Sequence, residues 1–148
     1  MEREICNIIN KGAILHKRLM TKILEQFDLT YAQYQVLKII KQHNGLTAKE
    51  ILIYLDTDKA TLSGVLSRLE KHNLIERIPN QEDRRLMHIH LKEKSIEICD
   101  QVNLIETNCE SDLLNGLKPK EIRYFFDVFN HIIGNQLKKL EEANKSND

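Results

Sequence analysis

Residues 58–91 read DKATLSGVLSRLEKHNLIERIPNQEDRRLMHIHL, and this stretch decides the fold. Leu62, Val65, Leu66 and Leu69 recur at helical spacing and mark the buried face of a helix. Asp58 stands at its start, where a carboxylate can accept from open amides and complement the positive end of the helix dipole. Asn73 follows the last turn and tolerates the left-handed conformation that ends many helices. Leu74–Ile78 then suits a short strand and Pro79–Arg85 a polar turn. Met87, Ile89 and Leu91 alternate with His88 and His90, as in a half-buried strand. A helix followed by a hairpin with an arginine-bearing tip is the order of a recognition helix and a wing.

Working outward, Thr30 with Gln33 and Thr47 with Glu50 each match a capping box, so helices should begin near 31 and 48. The first should stop at Asn44-Gly45 and the second before Asp56-Thr57-Asp58. The helices around 48–73 then form a helix-turn-helix. Upstream, Ile5, Ile8, Leu15, Leu19, Ile23 and Phe27 form one apolar stripe over 4–27, interrupted near Gly12. Downstream, Ile98, Val102, Ile105, Cys109 and Leu113 form another, ended by Asn115-Gly116. Pro119 suits the first turn of a last helix, whose stripe is Ile122, Phe125, Phe126, Phe129, Ile132, Ile133, Leu137 and Leu140. The tail EEANKSND is expected to fray.

The expected fold is mainly α with a small β-hairpin wing: a winged helix-turn-helix with N- and C-terminal dimerisation helices. Residues 1–148 are read as a single domain, with 30–92 as the DNA-binding part and 1–28 and 93–145 as dimerisation helices. Three long amphipathic helices carry more apolar surface than a head of about 60 residues can cover, so a second copy should cover it.

The 148 residues carry 22 Lys or Arg against 22 Asp or Glu, a balance that at first argues against nucleic acid. Its distribution does not. Residues 59–92 carry seven Lys or Arg against four Asp or Glu, while residues 93–148 carry seven against eleven. A neutral total can still focus a positive potential locally, which is what phosphate meets. MEREICNIIN lacks the layout of a signal peptide, and the longest apolar run, ILIYL at 51–55, falls far short of the ~18 residues of a membrane span. A cytoplasmic protein is expected. Cys6, Cys99 and Cys109 are odd in number and lack a C-x-x-C spacing, which fits reduced thiols.

On the helix, Lys59, Thr61, Ser63, Gly64, Ser67 and Arg68 lie off the apolar face. Hydroxyls can meet base edges or phosphates, Arg can bind guanine with two bonds, and Gly64 would let the backbone come close. At the wing, Arg84 and Arg85 suit a narrow, electronegative minor groove. Asp83, repelled by phosphate, would orient an arginine instead. No phosphate loop, nucleophile elbow, H-E-x-x-H or convincing carboxylate pair is present, so an enzyme is not expected. The alternative from another class is a winged-helix protein-interaction module without specific DNA binding, favoured by the zero net charge.

TLSGVLSRLEKHNLIERIPNQEDRRLMHIHL resembles the core of the MarR family (multiple antibiotic resistance regulators), with its recognition helix, its "rLEk.gLi.R" run and its D-x-R wing. Asp83 and Arg85 take the D-x-R positions and Leu91 the leucine that follows. Asn73 stands where the family often has Gly, and Lys92 where Thr often follows the leucine, a change expected only to alter the start of the next helix. The resemblance implies a homodimer on double-stranded DNA at a palindromic operator. It usually implies a repressor, whose DNA affinity falls when a small molecule or an oxidant alters the dimer helices.

Cys6 lies close to where organic-hydroperoxide-sensing members of that family carry their reactive cysteine, with Tyr31 and Tyr34 as possible partners. Asn10 and Met20 stand where further tyrosines would be expected. The other reading of Cys6 is a small buried hydrophobe; Cys99 and Cys109 are read as core. His16 with Tyr31 and Tyr34 would line a cavity for a small aromatic ligand, with core packing as the default. His88 and His90, at i, i+2 on one strand face without a nearby carboxylate or Cys, make a weak metal site, and solvated or phosphate-facing rings are expected. Neither metal nor cofactor is expected.

Overall fold

The computed structural model describes residues 2–43 and 45–145; the expected helix stop at Asn44 lies outside them. Six helices and one hairpin follow in order: α1 (Glu2–Leu24), α2 (Tyr31–His43), α3 (Ala48–Tyr54), α4 (Lys59–Lys71), β1 (Ile75–Pro79), β2 (Met87–Leu91), α5 (Glu93–Leu113) and α6 (Pro119–Lys145). A 3-10 turn, Glu25–Phe27, closes α1 and is followed by Asp28 in the left-handed conformation. The mainly helical fold with one small antiparallel hairpin is the one expected.

Local chemistry starts and stops these elements. Thr47 and Glu50 form the reciprocal capping box at α3, and Thr30 and Gln33 exchange the same pair of bonds at α2, at 2.8 and 3.2 Å. Asp58 caps α4, accepting from the Thr61 backbone N–H at 2.8 Å and from its hydroxyl at 2.7 Å. Asn73 takes φ 58°, the left-handed stop. Its side chain accepts from Lys92 Nζ at 2.5 Å. The two positions that depart from the family pattern are thus bonded to each other, and Lys92 ties the end of α4 to the start of α5 rather than only altering a helix start.

Tyr34, Leu37 and Ile40 of α2 pack with Ile51 of α3, Leu62, Leu66 and Leu69 of α4, Ile75 of β1 and Ile89 of β2. Met20 and Leu24 of α1 and Ile98, Cys99 and Val102 of α5 belong to the same core. The reading head therefore reaches beyond the expected 30–92, because the near ends of both flanking helices are buried in it. On α1, Met20 is 2% exposed while Leu15 and Leu19 are exposed, so the docked edge is displaced from the stripe read in the sequence.

The chain divides into two compact units, Met1–Ile105 and Glu106–Asp148. The second holds α6, which buries none of its residues and shows Phe125, Phe126, Leu137 and Leu140 at 49% exposure or more. Phe125 stacks on Phe129, with ring centroids 5.4 Å apart. The expected fraying from Glu141 does not occur at once: α6 stays helical to Lys145, through Glu and Ala residues that favour helix. No described helix is long and apolar enough to cross a membrane.

The hairpin pairs Ile75 with Leu91 through to Pro79 with Met87. Leu46, just after Gly45, adds a bridge to Ile89, with bonds of 2.8 and 3.3 Å in the two directions. Gly45 makes this approach possible. Its φ is +100°, and a Cβ there would overlap the His90 ring. Gly45→Ala should therefore destabilise the head by about 1–3 kcal/mol, from strained backbone and the overlap together. Trimming the ring in Gly45→Ala/His90→Ala should relieve only the overlap. Unchanged thermal unfolding of the single variant would contradict this packing.

Thr61's backbone N–H, then its hydroxyl, hold the Asp58 carboxyl below the usual carboxylate range. A carboxyl depressed by folding contributes stability that is present above its unfolded pKa, about 3.9, and is lost as pH falls through the folded value. Carbon-detected NMR should show Asp58 titrating below an ordinary Asp, and Asp58→Asn should flatten this part of the acid limb. A normal or raised Asp58 titration would refute the cap as drawn.

Candidate nucleic-acid interface

Burying Leu62, Val65, Leu66 and Leu69 turns the opposite side of α4 to solvent. At ~100° per residue, Lys59, Ser63 and Ser67 line one edge of that outer face, and Thr61, Gly64 and Arg68 the other. All six are exposed. Thr61 spends its hydroxyl proton on Asp58, so toward an outside partner it can only accept. A Cβ on Gly64 would meet nothing within 4 Å, so packing inside the protein does not demand this glycine. Its smoothness faces outward, which leaves room for a close approach.

At the wing, residues 81–86 are all exposed. Asp83 Oδ1 accepts from the backbone N–H of Arg85 at 3.0 Å, so the carboxylate shapes the backbone that carries the arginine. The sequence led us to expect it to orient a guanidinium. A second tie links the wing to the recognition helix: Arg77 Nε of β1 lies 3.2 Å from Glu70 Oε2 in the last turns of α4. The pair is close enough to attract, but Nε is enclosed without an aligned hydrogen bond.

The remaining sequence candidates do not converge. Tyr34 is 2% exposed in the head core, with Lys38 Nζ 5.8 Å from its ring centroid. Tyr31 is half-buried against that core, whereas His16 and Cys6 are exposed on α1. A depression of about 330 Å³ on α1 is lined by Ile14, Lys17, Arg18, Thr21, Lys22 and Glu25, and by none of those four. Tyr34 is thus buried among the aliphatic side chains of the head core. In the single chain Cys99 is buried, Cys109 half-buried and Cys6 exposed.

His88 and His90 are half-buried rather than solvated. His88 Nε2 meets the Asn80 side-chain amide at 3.1 Å, and the His90 ring lies over Gly45. Asn80, Glu70 and Arg77 are residues that the sequence reading did not select, and His88 was weighed there only as a weak metal ligand or a solvated or phosphate-facing ring. One signal was available for Asn80, since Asn opening a polar turn commonly accepts from amides two residues on.

The sequence model of the MarR family matches residues 29–87, which run from just before α2 to the first residue of β2. The organic hydroperoxide resistance transcriptional regulator of Bacillus subtilis is 30% identical over 105 residues, covering 66% of this chain and 71% of that protein. The HTH-type transcriptional regulator MgrA of Staphylococcus aureus is 24% identical over 144 residues, 97% of this chain and 94% of that one. Wild-type apo MarR from E. coli superposes with a TM-score of 0.73 at 26% identity, over 85% of this chain and 94% of that one. A shared family sequence, relatives that are regulators rather than enzymes, and the same winged head lead to one conclusion: the chain belongs to the MarR family of winged helix-turn-helix, DNA-binding transcriptional regulators.

Proposed function

We propose that this chain is a homodimeric repressor that occupies a palindromic operator and leaves it when a small-molecule effector binds. The observation that carries this reading is the exposure of Lys59, Ser63, Gly64 and Arg68 on α4 together with that of Arg84 and Arg85 at the wing. In such a dimer one α4 enters each of two major grooves about 34–36 Å apart. Each wing lays an arginine in the flanking minor groove. Exposed Ile5, Ile8, Leu15, Phe125, Phe126 and Leu137 supply the apolar area that a second copy would bury. A regulator of this kind acts in the cytoplasm, beside the chromosome.

Cys6 favours a second trigger, oxidation. It is exposed, and the relative that is 30% identical is by name an organic hydroperoxide regulator. An exposed thiol that reaches its thiolate form can be oxidised to a sulfenic acid, larger and more polar.

Operator binding tests the first reading. In gel shifts against the chain's own upstream intergenic DNA, Arg85→Ala should cut affinity strongly and Arg84→Ala less. Arg68→Ala should change base preference by roughly 1–3 kcal/mol at the base it contacts. Equal binding by wild type and Arg85→Ala would show that the wing only meets solvent. A weak shift, indifferent to sequence and lost at moderate salt, would favour a protein-interaction module instead.

Cumene hydroperoxide tests the second. It should release the wild type from DNA and leave Cys6→Ser bound. Release of both at the same dose, or of neither, assigns the response to a ligand.

A further inference from the structure

The wing tip is organised by one side chain. Asn80 Oδ1 accepts from the backbone N–H of Glu82 at 2.8 Å and from that of Asp83 at 3.1 Å. Backbone amides only donate, so the amide oxygen must face them, and that removes the usual ambiguity about which way an Asn is turned. Its NH2 group therefore faces the other way, 3.1 Å from Nε2 of His88. An amide NH2 only donates, so Nε2 must hold a lone pair and the ring proton must sit on Nδ1. His88 is half-buried on β2, across the hairpin from Ile78. The backbone completes the tip: Asn80 N–H donates to the Leu86 carbonyl at 2.8 Å, and Leu86 N–H to that of Asp83 at 2.9 Å.

We propose that Asn80 and His88 form a clasp that positions Arg84 and Arg85 for the minor groove, with the neutral His88 ring in its Nδ1–H tautomer. Neither residue touches DNA in this account. Asn80 joins three places in the hairpin: the two amides that begin the tip, the backbone that closes it at Leu86, and the strand that returns from it. Without the clasp, the exposed 81–86 segment keeps its backbone bonds but loses the side-chain brace on Glu82 and Asp83. Asp83 in turn holds the Arg85 amide, so loosening would pass directly to the arginine. Ordering that segment would then fall to the binding step, at a cost in affinity. The proposal rests on the wing-to-DNA reading above for its functional half, while the tautomer stands on hydrogen-bond logic alone.

Two measurements on the full chain test it. Long-range proton–nitrogen NMR at about pH 8, above the ordinary His range, should show His88 Nε2 unprotonated and Nδ1 protonated. In Asn80→Ala the ring should return to the mixture typical of free histidine, mainly Nε2–H. In operator titrations Asn80→Ala should bind about tenfold more weakly, with unchanged thermal unfolding. His88→Gln, whose amide oxygen can accept from Asn80, should keep near wild-type affinity. His88→Leu should fall to the level of Asn80→Ala, and the Asn80→Ala/His88→Leu double variant should fall no further.

An Nε2–H tautomer in the wild type would overturn the clasp. Wild-type affinity in Asn80→Ala, beside a strong loss in Arg85→Ala, would overturn its positioning role while leaving the wing-to-DNA reading intact. If Arg85→Ala also binds like wild type, that reading fails and takes the positioning role with it, whichever tautomer is found.

Discussion

Burial of the leucine face of α4 is the constraint on which the molecule depends. Leu62, Leu66 and Leu69, each 2% exposed or less, lie against the aliphatic core supplied by α2, α3 and the hairpin. A helix has only one opposite side, so this burial turns Lys59, Ser63, Gly64 and Arg68 outward without any residue being placed for that purpose. The recognition surface is a by-product of core packing. The same core draws in Ile75 and Ile89 from the two wing strands, which sets where the hairpin leaves the head. Helix and wing thus share one anchor.

Around that anchor, polar bonds govern orientation. The Leu46–Ile89 bridge adds a third strand segment to the two-stranded wing, and Gly45 permits it by leaving space for the His90 ring. Asn73 and Lys92 join the end of α4 to the start of α5. Ser95, fully buried, bonds the Leu74 carbonyl at 2.6 Å in the same corner. Such bonds add little net stability one at a time. Their geometric effect is larger, because each removes a way for the hairpin to tilt. The proposed DNA complex needs that more than it needs extra stability, since in it α4 and the wing would meet two grooves at once.

The chain's neutrality reads differently in this light. Basic residues collect on α4 and the wing, and the acidic surplus lies in 93–148. The field at a phosphate is set by the charges within roughly a Debye length, about 8 Å at physiological salt, so the local balance of 59–92 matters more than the neutral total. The apolar residues follow a similar division. Most of those of the head are buried, with Ile53, Tyr54, Ile78 and Leu86 as exceptions, whereas many of those on α1 and α6 remain exposed in the single chain.

Sequence by itself determined the elements and their inward faces. The leucine spacing of α4, the two capping boxes, the Asp58 cap and the Asn73 stop are local in origin, and each appeared where local chemistry put it. The exposed arginines of the wing and the outer face of α4 were legible for the same reason: a period and a turn need only near neighbours. Tertiary structure decided the rest. Nothing near Met20 in the sequence says that it, rather than Leu19, docks into the head, because that depends on how α1 crosses the core. Tyr34 was a reasonable ligand-facing residue until the packing of α2 drew it inside. Asn80 with His88, Glu70 with Arg77 and Lys92 with Asn73 are pairs separated by seven to nineteen residues. Such contacts form only once the hairpin has closed and, for the last two pairs, has packed on the head, and a one-dimensional pattern carries no record of these pairings.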